Sequence, residues 1–441
     1  MTQGRFGPAA AFRYAGSDLD PVAGVLRCRY ELEGHTFEER VASPGGDWGT
    51  PAAAEAARLV YLLAGVSYYK AGAPPVVDLA DTPARSGDLD MLRLFYVEGL
   101  GEFAHRNGLD LTALRFEGGA PTGAAATFEA PVGGRPLVPF GGGIDSIVTV
   151  EAMRSCAASP TLFVLSGEGD RFAAIEDAAA VTGLPIARAS RRIDDTILSS
   201  TPRGWLNGHV PVTGILSEIA VLVAVVHGHD AVVMSNEWSA SVGNADGVNH
   251  QWSKGWVFEQ ALRAQLGRSF APSAPGYFSF LRPWSELWVA RRFAGLDRYH
   301  PVFRSCNRAF AVDPDRRLDH WCGECDKCCF IDLILAPWLP ADRLGAVFGG
   351  SEPLRDPART AQFRTLVGLS SDPKPWECVG DVEECAAAAV LAAGRPDRSG
   401  TALLQALAAD LGPSTPNADR LLAPMGPSAV PDRYALHDLL V

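Results

Sequence analysis

The stretch 137-LVPFGGGIDSIVTV-150 changes character twice within a few residues. Leu137 to Phe140 is an apolar run of strand length, Gly141, Gly142 and Gly143 interrupt it, and the apolar spacing from Ile144 through Val150 to Met153 is helical. Read in order, that is a strand, a glycine turn and a helix. In such a turn successive backbone N–H groups and the positive end of the helix dipole converge on one hollow, which suits a phosphate or pyrophosphate. The run lacks the Lys-[Ser/Thr] ending of a Walker loop, and Ser146 stands where a G-x-G-x-x-G fingerprint needs its third glycine. Gly141, Gly142, Gly143, Asp145 and Ser146 are the candidate nucleotide contacts, and an ordinary tight strand-to-helix turn is the competing reading.

Around this stretch lies a chain of 441 residues, 47% hydrophobic and 20% charged, enough for two or three globular domains with a large core. Lys and Arg total 39 against 51 Asp and Glu, a net charge of -12, which argues against nucleic-acid binding through a basic face. A small anionic substrate needs only a local positive pocket. Arg188, Arg191, Arg192 and Arg203 are candidates for one, and a solvated charged face explains them equally well. The first residues hold no signal-peptide core, and no run reaches membrane-span length. The longest apolar segment, Ile215 to Val226, is interrupted by Ser217 and Glu218 and reads as a buried helix. A cytoplasmic protein without membrane or nucleic-acid partners is expected, in which the nine cysteines serve metal binding or catalysis rather than disulfides.

Upstream of the glycines, Val25 to Leu32 and Thr36 to Ala42 alternate across Gly34-His35 as a hairpin, and Ala52 to Leu63 and Leu92 to Phe103 carry helical spacing. A stretch rich in Gly, Ala, Pro and Thr from Glu117 to Arg135 places a boundary after a small α+β domain at residues 1–134. Downstream, strands at Thr161 to Leu165, Pro185 to Ala189 and Ala231 to Met234 alternate with helices at Phe172 to Val181 and Val210 to Val226. That alternation predicts an α/β fold with a doubly wound parallel sheet over residues 135–340, with ligands beyond the carboxyl ends of its strands. Residues 341–441 read as a helical C-terminal region, including Val382 to Ala393.

Two polar clusters follow strand or helix signals. Ser235-Asn236-Glu237 directly follows the Ala231 to Met234 strand, where this architecture puts substrate contacts, although a loop rich in helix caps has the same composition. Asn249-His250-Gln251-Trp252-Ser253-Lys254 gathers acid, base and anion-binding groups at a helix start, against the alternative of solvated surface groups. Cys322, Cys325 and Cys328 form C-x2-C-x2-C, with Cys306 upstream. Four thiolates complete a closed tetrahedral zinc site, an iron–sulfur cluster is the rival, Cys329 is spare and His320 a substitute ligand.

The loop resembles the S-G-G-x-D-S loop of the PP-loop ATP pyrophosphatases: Gly142, Gly143, Asp145 and Ser146 match, and Gly141 replaces the first serine. Combined with Ser305-Cys306 and the cysteine cluster, it is similar to the 7-cyano-7-deazaguanine synthase branch. Over nearly the whole chain the sequence resembles the MurL-type epimerases of bacterial peptidoglycan synthesis, at Gly99 to Phe103, the glycine loop, Asn249-His250-Gln251, the cysteine cluster running into Ala336-Pro337, and Lys374 to Gly380. The resemblance implies inversion of the terminal L-glutamate of UDP-N-acetylmuramoyl-L-alanyl-L-glutamate, with ATP and Mg2+ consumed in an acyl-adenylate step that releases AMP and pyrophosphate, and a structural Zn2+. It further implies nucleotide contacts from Gly141 to Ser146, with Asp145 helping to place Mg2+, and substrate contacts from Asn236, Asn249 and Gln251. His250 and Lys254, then Glu237, are its candidates for the inverting acid and base, and Glu377 or Cys378 for the returning C-terminal cover. The rivals are an ATP-dependent amide, nitrile or thiolation enzyme and a non-enzymatic zinc-ribbon module.

Overall fold

The strand of the opening stretch, Pro136–Pro139, sits inside a ten-stranded sheet of a computed structural model that describes residues 5–156, 159–243, 247–412 and 416–435. The strands are β1 (Phe12–Asp20), β2 (Val25–Leu32), β3 (His35–Ala42), β4 (Val76–Asp78), β5 (Arg115–Glu117), β6 (Ala126–Phe128), β7 (Pro136–Pro139), β8 (Thr161–Ser166), β9 (Ile186–Arg192), β10 (Ala231–Met234), β11 (Phe270–Pro272) and β12 (Gly276–Ser279). The order across the large sheet is β12-β10-β7-β8-β9-β3-β2-β1-β4-β5, while β6 and β11 pair separately. From β12 to β9 every neighbour is parallel. The chain moves from β7 outward through β8 and β9, then returns to place β10 on the other side of β7, so the order reverses beside the glycine loop. At such a reversal the connections leave in opposite directions and open a crevice at the carboxyl ends of the strands.

The α/β architecture expected from the strand–helix alternation is present, and the strands of residues 135–340 in the large sheet pair in parallel as expected; the sheet as a whole is only mostly parallel because strands from residues 1–134 extend it. The antiparallel hairpin β2–β3 docks on β9, with Arg40 opposite Arg192 and Ala42 opposite Ser190, and β1 joins antiparallel beyond it. Docking satisfies an edge whose backbone N–H and C=O groups would otherwise face water. Segments on both sides of residue 134 therefore build one sheet.

Alternate side chains of the central strands supply two cores. Leu137, Phe163, Val232 and Tyr277 face the helices Pro51–Ala64 and Val212–His227. Val138, Leu162, Val233 and Phe278 face the helices Ile144–Cys156, Glu286–Ala294, Asp326–Leu335 and Val382–Ala393. Burial on both faces is why these strands read as unbroken apolar runs. The helix expected over Leu92 to Phe103 is broken into Ser86–Val97 and Gly101–Asn107, and the turn between them needs glycine at Gly99, where a Cβ would lie 2.3 Å from the Phe95 carbonyl. The second piece carries Glu102 inward, where it is 5% exposed. Among the described residues no helix is long and apolar enough to cross a membrane.

Candidate active site

The glycine turn follows β7 directly. Gly142 has φ +74°, and a Cβ there would meet the Ala174 carbonyl at 2.4 Å, so both backbone and space require glycine. At Gly141 a Cβ would meet nothing within 4 Å, so the absent serine hydroxyl is not excluded by crowding. Ser146 Oγ donates to the Gly143 carbonyl at 3.1 Å and tightens the helix start. The turn forms one wall of a cavity of about 690 Å3 that also takes in Asn236, Glu237, His250, Lys254, Ser305 and Lys327, together with Trp376, Glu377 and Cys378 from the C-terminal region.

Three carboxylates meet here. Oxygens of Asp145, Glu237 and Glu286 lie within 4.8 Å of one another. Burial, then the charge of Glu237, raises Asp145 to about 6, and burial, then Asp145 and Glu237, pushes Glu286 well above the usual carboxylate range. Asp145 Oδ1 and Glu286 Oε2 are buried without hydrogen-bond partners among the described residues. A hard divalent cation fits such a set, since oxygen ligands of like charge are costly together until a cation neutralises them. Glu286 was not singled out in the sequence, because Ser285-Glu286 reads as a helix cap followed by a first-turn acid, and Ser285 Oγ does accept from the Trp288 N–H at 3.1 Å.

Beside the carboxylates, the Lys254 ammonium lies 3.1 Å from Cys378 Sγ and donates to Gln251 Oε1 at 2.9 Å. His250 shares one hydrogen bond with Cys378 and, through Nδ1, another with Glu102. Burial works against the imidazolium, but these two partners outweigh it and raise the His250 pKa. Neighbouring His209 is driven down to about 4 by burial and by His250. Burial likewise opposes a thiolate at Cys378, yet Lys254, His250 and Lys327 hold the thiol at about 6. Lys327 reaches the same segment by donating to the Cys378 carbonyl.

Behind this group Arg282, 1% exposed, braces both ends of the connection that follows β10: it donates to the Glu237 carbonyl at 3.0 Å and also to the Lys254 carbonyl.

The sulfurs of Cys306, Cys322, Cys325 and Cys328 lie within 4.8 Å of one another. Hydrogen bonds from Cys325 and Cys328 hold Cys306 far below the ordinary thiol range and push its two donors up. Four convergent sulfurs suit a soft or borderline metal. Cys329 is buried in the core and outside the group, and His320 is exposed and bonded to Asp319 at 2.8 Å.

The structure thus brings Gly141, Gly143, Asp145, Ser146, Asn236, Glu237, His250 and Lys254 to one cavity, whereas Gly142, packed against the Ala174 carbonyl, is not among its lining. Asn249 and Gln251 are not among its lining: Asn249 bonds the Ala240 carbonyl and the Gln251 N–H, and Gln251 holds Lys254. Arg188, Arg191 and Arg192 are tied to Glu176, Glu39 and Asp195, so the cations facing the cavity are Lys254 and Lys327 instead.

Fold and cavity together define an α/β protein with a glycine-turn crevice at its sheet reversal. Comparison with known proteins goes further. Residues 5–280 match the MurL N-terminal domain and residues 302–421 the MurL C-terminal domain. The chain belongs to the MurL family. It is 38% identical to the UDP-N-acetyl-alpha-D-muramoyl-L-alanyl-L-glutamate epimerase of Xanthomonas oryzae pv. oryzae, over 94% of this chain and 93% of that one. It is also 38% identical to the epimerase of the same name from Salinispora tropica, over 96% and 94%. A Micromonospora relative of that name is 37% identical over 96% of this chain and 97% of its own.

Proposed function

We propose that the protein inverts the terminal L-glutamate of UDP-N-acetylmuramoyl-L-alanyl-L-glutamate to D-glutamate, using ATP and releasing AMP and pyrophosphate. Near-full-length similarity to three epimerases of that name supports the reading and disfavours both rivals. The observation that carries the chemistry is one cavity combining a phosphate-sized glycine turn with an acid–base group. A free carboxylate resists loss of its α-proton, because the product would stack a second negative charge on the first. Adenylation removes that charge, and every about 1.4 kcal/mol of barrier removed is a tenfold rate gain.

In this reading the backbone N–H groups of Gly141 to Ser146 hold the β,γ-phosphates and Asn236 faces the substrate. Mg2+, when bound by Asp145, Glu237 and Glu286, supplies positive charge beside the phosphates. Cys306, Cys322, Cys325 and Cys328 would hold Zn2+ as a structural ion, joining the Ser305 segment to the start of the helix that carries Lys327. Glu237, first considered as a base, is better used in the carboxylate trio, which leaves His250 and Lys254 for proton transfer and charge stabilisation.

Incubation with ATP, Mg2+ and the L-Glu dipeptide substrate in deuterated water tests the proposal. Deuterium at the glutamate α-carbon of a D-configured product, with AMP formed, is expected. AMP without α-deuterium, or a new amide mass on adding ammonia, would overturn it.

A further inference from the structure

Among the described residues lining the cavity Cys378 is the one thiol, and it has no place in that scheme. It sits in Lys374-Pro375-Trp376-Glu377-Cys378-Val379-Gly380, which adds Trp376, Glu377 and Cys378 to the lining from a part of the chain remote from the glycine turn. Its sulfur is open to the cavity, not packed in the core. Lys254 Nζ is 3.1 Å away, and His250, itself bonded to Glu102, completes a carboxylate–imidazole–thiol chain. The charged groups that act most strongly on the sulfur are cationic or can become so: Lys254, His250 and Lys327. The nearest acids act through them, Glu237 on Lys254 and Glu102 on His250, while Glu377 follows along the same segment. A buried structural cysteine has no use for such a surrounding, whereas a reactive one requires it.

We propose that Cys378 is a catalytic residue that exchanges the α-proton on one face of the activated glutamyl group, with His250, held by Glu102, relaying its proton and Lys254, 3.1 Å away, positioning its sulfur. The inference rests on the functional reading above. The Cα–H bond breaks, its proton forms S–H on Cys378, and its electron pair moves into the acyl group to give an enolate. A second, solvent-exchangeable acid then delivers a proton to the opposite face, and the thiol returns its proton through His250 to water. A sulfur base suits this step: it is ionised near neutral pH without the strong hydration that slows proton transfer from carbon to hydroxide. The lower pKa set by Lys254 and His250 agrees with this role.

Two measurements on the full chain test it. The first follows two partial reactions in Cys378→Ser: substrate-dependent ATP–pyrophosphate exchange, expected within tenfold of wild type, and α-deuterium exchange in deuterated water, expected to fall more than a hundredfold. Retention of α-exchange within fivefold would overturn the inference, as would a glutamyl thioester on Cys378 trapped by acid quench, which would make the sulfur a nucleophile instead. If wild type itself forms neither AMP nor α-deuterated product, the functional reading fails and takes the inference with it. The second measurement needs no substrate. The rate of iodoacetamide labelling at Cys378, read by peptide mapping, should rise with a midpoint near pH 6, and Lys254→Met should move that midpoint up by at least one unit. A midpoint unchanged by Lys254→Met would overturn the positioning role.

Discussion

Arg282 and Glu259 form a fully enclosed ion pair, Nε to Oε2 3.0 Å with each side chain 1% exposed, and the same guanidinium carries the backbones of Glu237 and Lys254. Removing one partner of a buried pair leaves the other charge uncompensated, which typically costs about 3–5 kcal/mol. Arg282→Met should lower stability by that order in chemical denaturation. Arg282→Met with Glu259→Gln should recover much of the stability and little of the activity, because neither carbonyl regains its donor. Equal recovery of both would show that Arg282 only stabilises.

The glycine turn makes opposite predictions at adjacent positions. Gly142→Ala meets a carbonyl at 2.4 Å at φ +74°, strain of about 1–3 kcal/mol before any repacking. Substrate-dependent pyrophosphate release should drop more than a hundredfold. Gly141→Ser, facing open space, should leave the melting temperature within a degree or two and activity within a fewfold, since it restores a hydroxyl to a site with room for one. A large loss in Gly141→Ser would mean that the backbone there must approach its ligand more closely than any side chain allows.

The cysteine cluster should hold about one zinc per chain by elemental analysis. Ser305 borders the glycine turn and Lys327 reaches Cys378, so the cluster anchors two walls of the cavity. Cys322→Ser should lose the metal, lower the melting temperature by several degrees and expose the 374–380 segment to protease, since structural zinc contributes several kcal/mol of folding energy. Full zinc content in Cys322→Ser would remove this residue from the ligand set.

Glu218 supplies a pH signature of stability. Burial, then the charge of Asp88, raises its carboxyl from 4.5 to about 8, and neither oxygen finds a hydrogen-bond partner among the described residues. A raised folded-state pKa means the neutral acid is favoured inside. Its contribution is intact below the unfolded value of 4.5 and is lost as pH climbs through about 8. Between pH 6 and 8.5 the stability curve of Glu218→Gln, which cannot ionise, should gain roughly 1–3 kcal/mol relative to that of wild type. A second buried acid, Glu384, also raised to about 8, leaves part of the slope in place. Parallel curves for wild type and Glu218→Gln would show that this carboxyl is ionised in the folded chain.

Much of the molecule is legible in the chain alone where the cause is local. The switch from an apolar run to glycines to helical spacing marks β7, its turn and the following helix. Alternation across Gly34-His35 marks the β2–β3 hairpin, and cysteines three apart after Cys306 mark a cluster whose sulfurs the fold does bring together. Periodicity and turn chemistry act over a few residues, so they survive in sequence. What only the tertiary structure decided is who meets whom across long separations. The docking of β3 on β9 fuses two segments that read as separate, and Glu286 joins Asp145 and Glu237. Glu102 reaches His250 from 148 positions away, and Cys378 reaches Lys254 from 124. None of these pairings has a local signature, because who meets whom is set by the cavity that sheet reversal and the returning C-terminal segment enclose, and not by any stretch of chain that lines it.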